Sequence, residues 1–197
     1  MSPARRPAWC PRLPRTRDNA LLRDWLRDRG SLTTRLQNRG RFAVHVLRQG
    51  IGRPTADEAG VLGLSSGHRA RIREVALSCN EQIVVFAHTV LPLQPLGPLT
   101  RWLKRLGNRS LGALLFSHAG FKRGLIAFHR LDHRDPLFRS AHAALQLPAS
   151  TATTLWARRS HFVFGSQSVL VSEVFSPALL NLPNADDRQR TRGTAML

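Results

Sequence analysis

Apolar residues recur at two different spacings along the chain, and the change between them separates helices from strands. Residues 21–26 carry leucines and a tryptophan at helical spacing, which predicts a helix capped by Asp18 and ended by Gly30. Ser31 is a suitable cap for a second short helix, which ends near Gly40. Beyond that glycine the spacing becomes two, which is typical of strands with one buried face.

Six stretches with this period of two predict six strands. Asn80-Glu81 and Gly165-Ser166 each separate two of the stretches, which indicates two hairpins. Short apolar segments at 99–106 and, after a capping Ser110, at 111–116 predict further helices. Hairpins broken by short helices favour an α+β fold in which the helices cover one face of a six-stranded antiparallel sheet. The predicted strands are Phe42–Arg48, Ala70–Cys79, Gln82–Leu91, Gly124–Leu131, Thr153–Phe164 and Ser168–Phe175.

Two charged residues fall on the apolar side of these strands. Alternation places Arg73 on the face of Val75 and Leu77, and it places Glu173 with Val171 and other apolar residues of the last strand. A charge that faces a core is costly unless it is paired or neutralised. The two positions therefore predict either a buried ion pair or a polar ligand site, and a register slip of one residue would reverse both faces.

The two ends of the chain differ in composition from the middle. Residues 1–17 and 178–197 mix proline, arginine and small polar residues without an apolar period, so we expect a disordered basic leader and a disordered tail around one domain at 18–177. No apolar run reaches the length of a membrane span and no secretory signal is apparent, so we expect a cytoplasmic protein. Cys10 and Cys79 supply neither a disulfide framework nor a set of metal ligands.

A net charge of +18 raises the question of nucleic-acid binding. Only Lys104 and Lys122 are lysines among the 30 basic residues, so 28 are arginines, a skew that base composition alone can produce. The arginines are scattered, and no motif of a nucleic-acid-binding domain accompanies them. We therefore expect no specific nucleic acid as partner, although the basic ends suggest weak association with an anionic membrane surface.

Two other kinds of site are disfavoured. His129 and His133 stand four apart, but the pattern around them predicts a strand running into a loop and offers no third ligand, so no metal site is expected. Gly165-Ser166-Gln167-Ser168 lacks the second glycine of a nucleophile elbow, which argues against a serine hydrolase.

Seven short blocks, in this order between about residues 20 and 178, resemble the chorismate pyruvate-lyase family. No single block is diagnostic, and the likeness lies in their order. The blocks are Trp25-Leu26, Gly30-Ser31-Leu32-Thr33 with Arg35-Leu36, Arg73-Glu74-Val75, Phe86-Ala87-His88-Thr89-Val90-Leu91-Pro92, Leu106-Gly107 with Ser110-Leu111-Gly112 and Leu115-Phe116, Leu155-Trp156-Ala157-Arg158-Arg159-Ser160, and Leu170-Val171-Ser172-Glu173-Val174-Phe175-Ser176-Pro177.

The resemblance implies a lyase that converts chorismate into 4-hydroxybenzoate and pyruvate without a metal or organic cofactor, in a cavity under helical flaps. It implies that Arg73 binds the ring carboxylate through its planar fork and that Glu173 accepts a hydrogen bond from the 4-hydroxyl. It also implies substrate contacts from the backbone amides of Leu32 and Leu111. Arg158 shares a strand face with apolar residues and is a weaker candidate for the enolpyruvyl carboxylate.

Three functional classes stay open from the sequence. They are a cofactor-free lyase, a non-catalytic binder of small aromatic acids on the same fold, and a basic nucleic-acid-binding protein. We expect a monomer, because no long amphipathic seam is left once the sheet and helices are packed. Whether Glu173 transfers a proton is not decided by the sequence.

Overall fold

A computed structural model describes residues 9–65, 67–93, 101–102, 105–148 and 153–183. Six strands form one sheet, and every neighbouring pair in it is antiparallel. The strands are β1 Phe42–Gly52, β2 Ala70–Cys79, β3 Gln82–Pro92, β4 Lys122–Asp132, β5 Thr154–Phe164 and β6 Gln167–Phe175. Their spatial order is β1-β2-β3-β6-β5-β4, so β3 and β6 lie side by side at the centre. The predicted six-stranded antiparallel sheet and α+β class are confirmed.

Both predicted hairpins are present, and their turns explain the sequence between the strands. Asn80 and Glu81 have φ values of 51° and 68°, the left-handed conformations that a tight two-residue turn needs at both positions. Gly165 opens the β5–β6 turn with φ of 56°, where a glycine avoids a steric penalty. The first strand runs past its predicted end at Arg48, because a bulge between Val46 and Arg48 lets pairing with β2 continue.

Five α-helices lie wholly within the described residues. They are α1 Arg23–Arg27, α2 Leu32–Gln37, α3 Ala56–Val61, α4 Leu111–Ser117 and α5 Pro136–Ala144. The Ser31 and Ser110 caps are confirmed, since each hydroxyl accepts a hydrogen bond from the third amide of its helix. The prediction for Asp18 is wrong: it lies in a 3₁₀ turn, and its carboxylate binds Arg130 and the indole of Trp156 instead.

Helices cover both faces of the sheet, which corrects the expectation that they cover one. The helices α1 and α2 pack on the face that includes Val75 and Ala87. On the other face, Ala141 of α5 and Leu145, which directly follows that helix, pack against Phe86. The loop after α3 adds a smaller apolar cluster on that same side. The sequence prediction missed α3 and α5, and with them the second covered face.

Residues near both ends of the described chain contact the sheet. Cys10 forms an antiparallel bridge with Phe128, and Leu13 packs against the core. At the other end a 3₁₀ helix at Pro177–Asn181 buries Leu179, and Leu182 is also buried. The predicted leader and tail lie partly outside the described residues, and their disorder stays a prediction.

Half of the helix predicted at 99–106 falls outside the described residues; of the other half, Arg101, Trp102 and Arg105 are helical. Within the described part, the longest helix has nine residues, and none is long and apolar enough to cross a membrane.

Candidate active site

Arg73 is a buried cation that is held by neutral oxygen atoms. Its side chain lies on the face of β2 predicted from the sequence and is 2% exposed. The guanidinium donates hydrogen bonds to the side-chain oxygen of Gln49, to the carbonyl of Gly107 at 2.7 Å and to the carbonyl of Arg109 at 3.3 Å. Burial lowers the pKa of Arg73. Among the described residues no carboxylate forms an ion pair with it, so its charge is available to an anion.

Glu173 forms an ion pair with Arg158 rather than with Arg73. Its Oε2 accepts a hydrogen bond from Arg158 Nε at 2.5 Å. Arg158 is 1% exposed, and a terminal nitrogen of its guanidinium also donates to the carbonyls of Trp25 at 2.9 Å and Asp28 at 2.6 Å. The sheet therefore contains an ion pair at Glu173 and, at Arg73, a buried cation without a carboxylate partner in the part of the chain that the structure describes. Arg158 fixes the orientation of the Glu173 carboxylate.

Arg73 and Glu173 border the same small space. Arg73 on β2 is paired with Thr89 on β3, and Glu173 on β6 is paired with Ala87 on β3. The strands β2 and β6 therefore lie on either side of β3, about 10 Å apart. The space between Arg73 and Glu173 has a volume of about 40 Å³, which is room for only a few water molecules. It is lined by Thr33, Val44, Arg73, Val75, Leu77, Ala87, Thr89, Arg109, Ser110, Leu111, Gly112, Val171 and Glu173. Of the predicted site residues, Arg73, Glu173 and Leu111 meet here.

The other two predicted residues lie beside this space. Leu32 is 4% exposed and packs in the core at the start of α2, next to Thr33, which does line the space. Arg158 lies behind Glu173 and is not among the lining residues. Leu32 and Leu111 are the first residues of α2 and α4, where backbone amides have no partner inside the helix.

A hydrogen bond joins α2 to α4 above the sheet. Thr33 Oγ1 and Ser110 Oγ are 2.5 Å apart. Outside this contact lies an open groove of about 500 Å³, which shares Thr33, Val44, Arg109 and Ser110 with the inner space. The bonded pair of hydroxyls therefore stands between the groove and the inner space.

The family model for chorismate lyase matches residues 9–182 of this chain. The chain belongs to the chorismate lyase family. It is 47% identical over 176 residues to a probable chorismate pyruvate-lyase of Dechloromonas aromatica (strain RCB), a match that covers 89% of this chain and 97% of that protein. It is 44% identical over 184 residues to a probable chorismate pyruvate-lyase of Azoarcus sp. (strain BH72), with 92% and 97% covered. The resemblance predicted from the short blocks is confirmed.

Solved structures that resemble this chorismate lyase family member include an effector domain and a domain of a repressor. The effector domain of PhnF from Mycobacterium smegmatis is 16% identical and aligns with a TM-score of 0.55 over 75% of this chain and 89% of that one. The C-terminal domain of the histidine utilization repressor from Pseudomonas syringae pv. tomato str. DC3000 is 12% identical, with a TM-score of 0.52 over 70% and 93%. At these identities the likeness concerns the fold alone.

A second charged cluster of this lyase family member lies on the opposite face of the sheet, where the sequence analysis did not place one. His88 on β3 is 5% exposed, with Nδ1 3.0 Å from Glu74 Oε1 and Nε2 3.1 Å from Glu58 Oε1. Burial favours the neutral ring, but the two carboxylates outweigh it and raise the pKa of His88 to about 9. Burial opposes ionisation of Glu58, yet its contacts with His88 leave the pKa of Glu58 lowered. The hydrogen bond from His88 likewise lowers the pKa of Glu74.

Arg123 on β4 is a further enclosed cation that was not predicted from the sequence. Its Nε and one terminal nitrogen donate to Ser160 Oγ at 3.0 and 2.7 Å, and the other terminal nitrogen donates to the carbonyl of Arg29 at 2.8 Å. The guanidinium lies 5.3 Å from the ring centre of Phe116 and 5.5 Å from that of Phe162. Burial, with repulsion from Arg158 next in importance, lowers the pKa of Arg123 to about 10. The predicted strand began at Gly124, one residue after Arg123, whereas β4 begins at Lys122.

The histidines considered as metal ligands have other surroundings. His129 Nε2 pairs with Asp135 Oδ1 at 2.8 Å, at the start of α5. Across the described ranges, no three histidine, cysteine, aspartate or glutamate side chains come together as a metal site would require. The His129–Asp135 pair instead fixes the end of β4 against the helix that follows it.

Proposed function

We propose that this protein converts chorismate into 4-hydroxybenzoate and pyruvate, the first committed step of ubiquinone biosynthesis, and that Arg73 and Glu173 form its active site. The proposal rests on family membership together with one observation: a buried cation and a fixed carboxylate border the same space on one face of the sheet. No metal or organic cofactor enters the proposed reaction.

In this proposal Arg73 binds the ring carboxylate and Glu173 binds the 4-hydroxyl. A buried guanidinium whose partners are neutral gains a charge-assisted hydrogen bond when an anion arrives. Because Arg158 donates to one oxygen of Glu173, the carboxylate keeps a second oxygen as an acceptor for a hydroxyl. The backbone amides of Leu32 and Leu111 add contacts to the substrate, as family membership suggests.

The reaction needs positioning more than a strong nucleophile. Loss of the enolpyruvyl group makes the ring aromatic, so the leaving group and the driving force are both present in the substrate. The C3–O bond breaks, the hydrogen at C4 moves to the methylene carbon of the departing group, and the products are 4-hydroxybenzoate and pyruvate. A dry site that holds one reactive conformer, with fixed donors around it, lowers this barrier.

Entry of the substrate requires movement, because the inner space of about 40 Å³ holds only a few water molecules. We assign the role of flaps to α2 and α4, which are short and are joined by the Thr33–Ser110 hydrogen bond. Separation of these helices would connect the inner space with the outer groove and give the ligand cavity its full size. A lid of this kind also excludes water from the reacting atoms.

Turnover assays distinguish the lyase from a non-catalytic binder. Purified protein is incubated with chorismate, and both products are measured by chromatography and by a coupled pyruvate assay. Appearance of both in equal amounts supports the lyase. Binding of 4-hydroxybenzoate without any product would favour the aromatic-acid binder. Salt-sensitive binding to DNA or RNA with no binding of either small molecule would favour the nucleic-acid-binding protein.

Substitution of Arg73 tests its role. Arg73→Ala should lower both kcat/KM and affinity for 4-hydroxybenzoate by about tenfold or more, because a charge-assisted contact is removed. Arg139→Ala, at an exposed arginine on α5, is the matched control and should leave both unchanged. Equal behaviour of the two variants would reject Arg73 as the carboxylate anchor.

We further propose that the protein acts as a cytoplasmic monomer with weak affinity for anionic membranes through its basic ends. Light scattering after size-exclusion chromatography tests the monomer, and sedimentation with vesicles containing phosphatidylglycerol tests the association. Failure to sediment at low salt would remove the membrane from this proposal.

A further inference from the structure

The substrate of the proposed lyase carries one more negative charge than the aromatic product. Chorismate has a ring carboxylate and an enolpyruvyl carboxylate, whereas 4-hydroxybenzoate has only the first. Arg73 accounts for the ring carboxylate in the proposed function, on which the present inference rests. The second carboxylate is attached through C3, next to the C4 hydroxyl, so it lies at the Glu173 end of the site. A buried anion at that end needs a cation of its own.

Arg158 is poorly placed to be that cation. Its Nε is taken by Glu173, and one terminal nitrogen is shared between two backbone carbonyls. Its charge is already balanced by the Glu173 carboxylate at 2.5 Å. These contacts make Arg158 a positioning residue for Glu173.

Arg123 has the unbalanced charge that Arg158 lacks, although like Arg158 it does not itself line the inner space. Three of its five N–H groups are used, and all three bond to neutral oxygens, those of Ser160 and of the Arg29 carbonyl. Within the described part of the chain, no carboxylate forms an ion pair with it. Two aromatic rings, those of Phe116 and Phe162, flank the guanidinium and restrict water around it. Arg123 thus resembles Arg73, as a partly enclosed guanidinium whose partners are uncharged.

The sheet register places Arg123 at the correct end. Ser160 is paired with Val171, which borders the inner space, and Val171 lies two residues before Glu173 on β6. Because paired residues share a face, Ser160 presents its hydroxyl, and with it the Arg123 guanidinium, on the side of the substrate. At neutral pH Arg123 is protonated, since even the lowered pKa is about 10.

We propose that Arg123 binds the enolpyruvyl carboxylate of chorismate and holds the three-carbon group in place while the C3–O bond breaks. Arg73 and Arg123 then hold the two carboxylates at opposite ends of the site. The hydrogen from C4 reaches the methylene carbon of a group whose carboxylate is fixed, and that group leaves as pyruvate. The product that stays behind makes no contact with Arg123.

The test compares two ligands that differ in the second carboxylate. The KM and dissociation constant for chorismate, and the inhibition constant for 4-hydroxybenzoate, are measured for wild type, Arg123→Gln, Arg123→Lys and Arg73→Gln. Arg123→Gln should weaken chorismate binding by about tenfold or more and change 4-hydroxybenzoate binding by less than about twofold. Arg123→Lys should recover part of the loss, because it keeps the charge. Arg73→Gln should weaken both ligands.

Arg139→Gln is the matched control, and thermal unfolding of each variant reports its fold. Should Arg123→Gln unfold, Ser160→Ala replaces it, because it removes the acceptor that orients Arg123; a smaller loss with the same selectivity is then expected. Equal weakening of both ligands, or of neither, would overturn the role of Arg123. Wild-type protein that binds chorismate without turnover would reject the proposed reaction alone, since the binding comparison still tests Arg123. Wild-type protein that does not bind chorismate would overturn both.

Discussion

Replacing His88 by glutamine removes a buried positive charge while keeping a hydrogen-bond donor. In the folded protein the imidazolium lies between Glu58 and Glu74, and these carboxylates raise the pKa of His88 from 6.5 to about 9. A shift of roughly 2.5 units corresponds to roughly 3 kcal/mol of folding free energy linked to the bound proton. A domain of this size is stable by about 5–15 kcal/mol, so the effect is large.

The direction of the pH dependence follows from the raised pKa. The stabilisation is complete below the unfolded pKa of 6.5 and is lost as the pH rises through about 9. The free energy of unfolding of the wild type should therefore fall by roughly 3 kcal/mol between pH 6.5 and 9.5. On the acid side, the lowered pKa values of Glu58 and Glu74 give stability that is lost as the pH falls below 4.5, the ordinary pKa of a glutamate.

Urea unfolding followed by tryptophan fluorescence, at half-unit steps from pH 5 to 10, measures this profile. His88→Gln should be less stable than wild type at pH 6.5 by about 3–5 kcal/mol, because two buried carboxylates lose their partner. The difference should shrink towards pH 9.5. His68→Gln, at an exposed histidine, is the control. Parallel curves for wild type and His88→Gln across the alkaline range would show that the two carboxylates do not raise the pKa of His88 in the folded protein.

Three further substitutions have defined outcomes. Arg158→Leu leaves Glu173 without its partner, so kcat and the unfolding temperature should both fall, with about 3–5 kcal/mol lost in urea unfolding; retained activity would show that Arg158 is not needed to position Glu173. Thr33→Val removes the hydrogen bond between α2 and α4, and stopped-flow release of 4-hydroxybenzoate should be about two- to tenfold faster; an unchanged rate would argue against a flap. Gly40→Ala places a methyl group against the Asn80 side chain and should lower stability by about 1–3 kcal/mol, whereas unaltered unfolding would show that the turn adapts.

The sequence predicted the parts of the fold that depend on local periodicity. Alternation along β2 and β6 placed Arg73 and Glu173 on the correct face, because each strand is long and its apolar side is well defined. The turn at Asn80-Glu81 was also predictable, since asparagine tolerates a positive φ. Local pattern alone did not reveal that Glu173 pairs with Arg158 on the neighbouring strand.

Contacts between distant segments were the part that the sequence did not reveal. The helix α3 starts with a capping box between Thr55 and Glu58, a signal that was present but was read as part of a loop. Glu58 then reaches His88, thirty residues further along the chain, and no pattern in either segment indicates that contact. Arg123 was missed for a related reason, because a bulge between it and Ile126 interrupts the alternation of β4.

Three hydrogen bonds from the Arg158 guanidinium link strand β6 to α1 and the residue after it. Without them these two segments could move independently. One bond orients the Glu173 carboxylate, and the other two hold the chain at Trp25 and Asp28, just before the segment that leads into α2. Any change at Arg158 would therefore disturb both the Glu173 carboxylate on the sheet and the segment before α2, which covers the site. Redesign of this protein for larger aromatic acids is therefore better started from Val44 or Leu111, which line the inner space. Their side chains can be shortened without breaking the hydrogen bonds of Arg158.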